Sequence, residues 1–129
     1  MLIEQAVKEG RQRVGLPCEQ PQLPAESLIK FWKKTVLENT DKSAFTCLGQ
    51  TLSFGEVDQL SRRIASYFQK QLGLKAGDRI AIQLPNLIQY PALAYAAWHI
   101  GLIVVNTNPM YSTRELIHQF NDAGVKAVI

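Results

Sequence analysis

Two rhythms of apolar and polar positions alternate along this chain, and their order predicts helix and strand by turns. Val57, Leu60, Ile64, Tyr67 and Phe68 recur three and four positions apart, the spacing that lines up one face of a helix. Ser53 and Glu56 precede that stripe at S-x-x-E spacing. The serine oxygen can take an orphan amide of the first turn while the glutamate reaches back, so a helix opens at Phe54. Gly73 offers the left-handed stop. Residues 79–83 read as a strand, and Leu102, Ile103, Val104 and Val105 as a continuous apolar strand of the kind a sheet covers on both faces. Between these strands lies a helix apolar nearly all round, with Leu93, Ala94, Ala97 and Trp98 among small Ala92 and Ala96. That pattern implies burial on several sides.

The start of this apolar helix is ambiguous. Either Asn86 caps it and Pro91 distorts it, or it begins at Pro91, where proline fits a first turn. The earlier start, with local distortion, is the expectation. Ser112 and Glu115 form a second capping box, opening a helix over residues 113–122 with Leu116, Ile117 and Phe120 facing inward and Gly124 closing it. Residues 126–129 begin a third strand. Two successive strand–helix–strand units imply parallel strands joined by right-handed crossovers.

Upstream, residues 2–13 form an amphipathic helix that Gly10 weakens near its end. The stretch LPCEQPQLP that follows holds three prolines and reads as a connector. Residues 1–25 are therefore an arm, either lying on the domain or reaching a second subunit or a membrane surface. Residues 26–38 form a helix with Leu28, Phe31, Trp32, Thr35 and Val36 on one side. Lys30, Lys33 and Lys34 point away, as a solvated face or as an attraction to anionic lipid. Residues 44–48 and 51–53 are short strands around Gly49-Gln50, where a leading glycine suits a type II′ hairpin turn. The fold class is thus α/β: a partial parallel sheet with flanking helices, βαβαβ, plus an N-terminal helix and a short β-hairpin. The last strand stops within its apolar run, so we expect residues 26–129 to be a truncated part of a larger N-terminal domain.

Composition narrows the function. Of 129 residues 47% are apolar and 19% charged, which is globular rather than disordered. The net charge is +3, but the basic residues are scattered, so nucleic acid is not an expected partner. Cys18 and Cys47 lack CxxC spacing. The N-terminus places a glutamate where a signal peptide needs its apolar core, so a reducing cytoplasm is the expected setting. The longest apolar stretch is broken by Gln89, Pro91, His99 and Gly101, against a membrane span.

Candidate chemistry is sparse. In open α/β sheets ligands bind beyond the carboxyl ends of the strands. Those ends carry Asn86, Thr107 and Asn108, which either hold a ligand or simply tie loops. Neither G-x-G-x-x-G nor GxxxxGK[ST] occurs, and no serine sits in G-x-S-x-G. Glu115 and His118 stand at E-x-x-H spacing without the second motif that a di-iron bundle needs. His99 ends a buried helix, where it would bond a carbonyl or favour the helix C-terminus. No catalytic, cofactor-binding or metal residue is assigned.

The spaced string TLSF (51–54), GLKAGDRIAI (73–82), LPN (84–86), GLIVVNTNPMY (101–111), REL (114–116) and NDAG (121–124) resembles the N-terminal region of the adenylate-forming acyl-CoA synthetases. Residues 104–116, VVNTNPMYSTREL, look most like the bacterial long-chain fatty-acid–CoA ligases. The resemblance implies a parent enzyme that takes a fatty acid, ATP and CoA to acyl-CoA, AMP and pyrophosphate through an acyl-adenylate, with magnesium on the phosphates. The family's phosphate loop, adenylate motif, ribose-binding aspartate and catalytic lysine match no segment here. The resemblance therefore implies no ATP, Mg2+ or CoA site in these residues and no ligase activity for the chain alone. A homodimer and peripheral contact with the inner membrane are further expectations for the parent. The competing reading is a stand-alone, non-enzymatic α/β interaction or dimerisation module.

Overall fold

The computed structural model of the chain describes residues 2–17 and 26–129; most of the proline-rich connector, with Cys18, lies outside them. Ten elements follow in order: α1 (Leu2–Arg13), α2 (Leu28–Asn39), β1 (Ser43–Cys47), β2 (Gln50–Ser53), α3 (Phe54–Lys70), β3 (Arg79–Ile82), α4 (Gln89–His99), β4 (Ile103–Asn106), α5 (Thr113–Ala123) and β5 (Ala127–Val128). β1 and β2 make an antiparallel hairpin, and β4-β3-β5 make a parallel sheet with β3 at its centre.

Local signals set most boundaries. Ser53 accepts from the Glu56 amide at 3.2 Å while Glu56 accepts from the Ser53 amide at 2.8 Å, so α3 opens at Phe54 as its capping box requires. α1 runs through Gly10. It is closed instead by Gly15, which takes φ +71° while Leu16 donates back to the Arg11 carbonyl at 2.9 Å.

α4 departs from the expected start. Its first residue is Gln89, and Asn86 is not its cap. Pro91 becomes the third helical residue, and the first four amides of a helix have no partner within it, so the missing N–H costs nothing and no kink is needed. The hairpin also differs. Cys47 pairs with Gln50, which makes Leu48-Gly49 the two-residue loop, with φ +49° and +80°. Positive φ at both positions is the type I′ pattern, not type II′. Strand register prevails here over the reluctance of leucine to adopt a left-handed conformation.

The core lies between the sheet and the α3–α4 pair. Ile80 and Ile82 point from β3 into Ala65, Phe68, Leu74, Leu93, Ala94, Ala97 and Leu102. Ala81, on the opposite face of β3, is also fully buried. The small side chains of α4 let its backbone approach closely, and all of Ala92, Ala94, Ala96 and Ala97 are buried. The chain moves from β3 outward to β4, then back past β3 to β5. Right-handed crossovers in opposite directions place α4 and α5 on opposite faces. On the α5 face burial is thin: Leu116 and Phe120 are half-buried, and Ile117, expected to point inward, is 57% exposed. No described helix is long and apolar enough to cross a membrane.

Candidate functional site

A cleft of about 490 Å³ opens at the carboxyl ends of β3 and β4. The parallel register puts Ile82 beside Asn106, so the two strands end together and their following loops face each other. Asn86, Thr107 and Asn108, the three residues nominated from sequence, all line this cleft, with Tyr90, Pro109 and Tyr111 around them. A smaller cavity of about 200 Å³ adjoins it across Asn86 and Tyr90, walled by Phe45, Cys47 and Ile88.

Most of the polar groups here are already engaged. Thr107 is 5% exposed. Its hydroxyl donates to Gln119 Oε1 at 2.9 Å, its amide donates to the Ile82 carbonyl at 3.1 Å, and Gln119 Nε2 donates to the Asn106 carbonyl at 3.1 Å. The Asn108 side chain accepts from the Met110 amide at 2.9 Å and shapes its own turn. The Tyr90 hydroxyl donates to the Asn106 side-chain oxygen. Asn86 differs: it is exposed, and its main-chain carbonyl accepts from Cys47 Sγ at 3.6 Å. Amides and phenols can orient a neutral or weakly polar group, but they bring no carboxylate and no basic side chain to this cleft.

The direction of the chain reverses across β3, so the topological switch lies between β3 and β5. The cleft sits one strand pair away, between β3 and β4.

Elsewhere, Glu115 serves helix α5. Its carboxylate accepts from the Ser112 hydroxyl at 2.6 Å and the Ser112 amide at 2.8 Å, bonds that hold it below the usual carboxylate range. Among the described residues no group of three or more His, Cys, Asp or Glu is placed to hold a metal ion.

Sequence reasoning missed the densest polar cluster. Asp58, on α3, accepts from Trp32 Nε1 at 3.0 Å and from Arg62 Nε at 2.6 Å, and its Oδ1 lies 3.3 Å from His99 Nε2. His99 does end α4, as one of its two expected roles requires, but its ring meets a carboxylate rather than a carbonyl. Burial pushes the Asp58 carboxyl up, but the bonds from Arg62 and Trp32 outweigh it and hold it below the ordinary range. Burial pushes the His99 imidazole down, against the pull of Asp58. The only hint in the sequence is a Trp, an Asp and a His each on the inward side of a helix; nothing local pairs them.

The AMP-binding enzyme family matches residues 32–129. A long-chain-fatty-acid–CoA ligase of Escherichia coli O6:H1 is 42% identical over 120 residues, 93% of this chain and 21% of that protein. One of Yersinia pestis is 38% identical over 125 residues, 92% of this chain and 22% of that protein. The chain therefore spans about a fifth of the length of these relatives. Among solved structures, VinN with 3-methylaspartate superposes with a TM-score of 0.78 at 24% identity, covering 83% of this chain and 30% of that one. The N-terminal domain of FACL13 from Mycobacterium tuberculosis gives 0.75 at 22%, covering 80% and 26%. These last two likenesses show the fold.

Proposed function

Because this chain belongs to the AMP-binding enzyme family, we propose that it forms the N-terminal part of an enzyme that joins long-chain fatty acids to CoA. The parent reaction consumes ATP, passes through an acyl-adenylate and releases AMP and pyrophosphate. The observation that carries this reading is the 42% identity, across 93% of the chain, to a ligase of that specificity. Substrate partners of the parent are then the fatty acid, ATP and CoA.

Within that enzyme residues 26–129 act as scaffold. Thr107 and Asn108 spend their hydrogen bonds on the fold, and the cleft beside them holds no charged donor set. These residues do not fit magnesium, which takes oxygen ligands that include carboxylates. No step of the reaction is therefore routed through them, and the chain alone is inactive.

The test is a direct assay of the 129-residue chain with oleate, ATP, Mg2+ and CoA, beside the longer protein that contains it. We expect acyl-CoA and oleate-dependent pyrophosphate release from the longer protein and none from the chain. Activity in the chain would overturn the scaffold reading. A longer protein that adenylates some other carboxylic acid and rejects oleate would overturn the substrate.

The reading as a stand-alone interaction module draws on one observation: Leu37, Met110 and Ile117 stand exposed. A concentration-dependent dimer by sedimentation, abolished by Ile117→Ser, would favour it.

A further inference from the structure

Trp32 is the one fully buried residue of helix α2, among half-buried Ile29, Thr35 and Val36. Its ring stacks on Tyr95 of α4, with centroids 3.7 Å apart and planes within 16°, and lies near Phe54 at 5.8 Å. Its indole N–H donates to Asp58 Oδ1, the same oxygen that faces His99 Nε2. The acceptor that anchors α2 is thus shared with an ionisable ring whose side chain is 8% exposed. The other Asp58 oxygen is held by Arg62. The charged groups that act on His99 are Asp58 and Arg62 from α3 and Lys33 from α2. The far end of α2 stays tied by the Gly55 amide to the Thr40 carbonyl at 2.9 Å, which leaves a natural hinge.

We propose that the docking of α2 is proton-linked: acid frees α2 from α3 and α4 while the parallel sheet and its packed helices stay folded. This inference does not depend on the ligase reading.

The physical case is a difference in proton affinity between two states. In the docked state a charged imidazole would sit largely out of water, near two cations and one carboxylate that already serves Arg62 and Trp32. Burial and the two cations oppose that charge, Asp58 favours it, and the balance keeps the ring below its ordinary pKa. Undocking α2 removes Lys33 and opens His99 and Asp58 to water. The undocked state then binds the proton more readily, so docking is favoured in full above the ordinary imidazole pKa of about 6.5 and weakens as pH falls below it. Asp58 acts in the same direction at more acid pH, since its carboxyl is also held low. The core around Ile80, Phe68 and Leu93 is built from apolar side chains and gains no such sensitivity over this range.

Hydrogen-exchange protection and the indole N–H signals of the 129-residue chain, followed from pH 8 to 5, test the proposal. We expect amides of residues 28–39 to lose on the order of tenfold in protection for each unit separating the docked and undocked imidazole pKa, with β3 and α4 retaining theirs. The Trp32 indole signal should move with the His99 imidazole. In His99→Gln, which keeps an N–H to offer Asp58 and cannot be protonated, the loss should vanish over this range. Constant α2 protection in the wild type, an equal loss in the variant, or simultaneous loss in β3 would each overturn the proposal. If the variant does not fold, the wild-type imidazole titration decides: a midpoint at or above the ordinary value refutes it.

Discussion

The two crossovers of this chain are built from the same parts and held by different forces. Each runs from a parallel strand through a helix of 11 residues, then a left-handed glycine, to the next strand. In the first, α4 sinks Ala92, Leu93, Ala96 and Ala97 into the core. In the second, α5 buries no residue completely. It is tied down by polar links, one from within the helix, Gln119 to Thr107 and Asn106, and one just past its end, Lys126 to Asp78 at 2.6 Å. A helix can thus be placed correctly by its caps and latches before its apolar stripe has found cover. The apolar pattern of α5 records a surface suited to burial, and the caps and latches account for its position here.

Substitutions can test how deep that difference goes. The largest effect should come from Leu93→Ala, because truncating a buried leucine loses transfer energy and leaves a cavity. A cost of about 2–5 kcal/mol is expected, read as a lower urea midpoint at unchanged slope. If Ile117→Ala costs as much, the contrast between the crossovers fails. Next is Gln119→Ala, which leaves the buried Thr107 hydroxyl without its side-chain partner. A loss of about 1–3 kcal/mol is expected, with exchange protection falling at residues 106–109 before that of α4. The smallest pair compares the two glycines. Gly101→Ala meets Ala76 Cβ at 3.1 Å and adopts φ +74°, whereas Gly124→Ala at φ +60° meets open space. Both should pay the left-handed penalty of about 1–2 kcal/mol, and thermal melting should show the excess at Gly101. Equal shifts would mean that the turn before β4 is as loosely packed as the turn before β5.

Much of the scaffold was legible because its signals are local. S-x-x-E twice placed a helix start to the residue, since the box is closed by atoms within four positions of each other. Leu102 to Val105 announced a strand by composition alone but not its cover: β4 is an edge strand, with Ile103 46% exposed and Val104 and Val105 half-buried, because apolarity does not say whether a neighbour is present. Other features failed for an identifiable reason. Pro91 suggested a distortion only because the helix start was set too early. Leu48 was passed over as a turn residue because its φ is dictated by the pairing of Cys47 with Gln50. Ile117 looked inward because periodicity reports which face is apolar, not whether anything covers it. The cleft was legible too: Asn86, Thr107 and Asn108 do come together, although Thr107 and Asn108 are bound into the fold. The Asp58 cluster was invisible, since it joins residues from three helices and an aspartate at a helical position ordinarily reads as solvated.

The central position of β3 also orders the assembly of the sheet. Both parallel ladders use the same four-residue strand: Arg79 pairs with Ile103, and Ile80 with Ala127. The second pairing closes a loop roughly twice as long as the first, an added entropy cost of about 0.6 kcal/mol. It is also the shorter ladder, with two paired positions against four. Loop closure therefore favours β3 and β4 meeting around α4 as the earlier event, with β5 adding to a strand already in place, so that the chain acquires its sheet outward from a single seam.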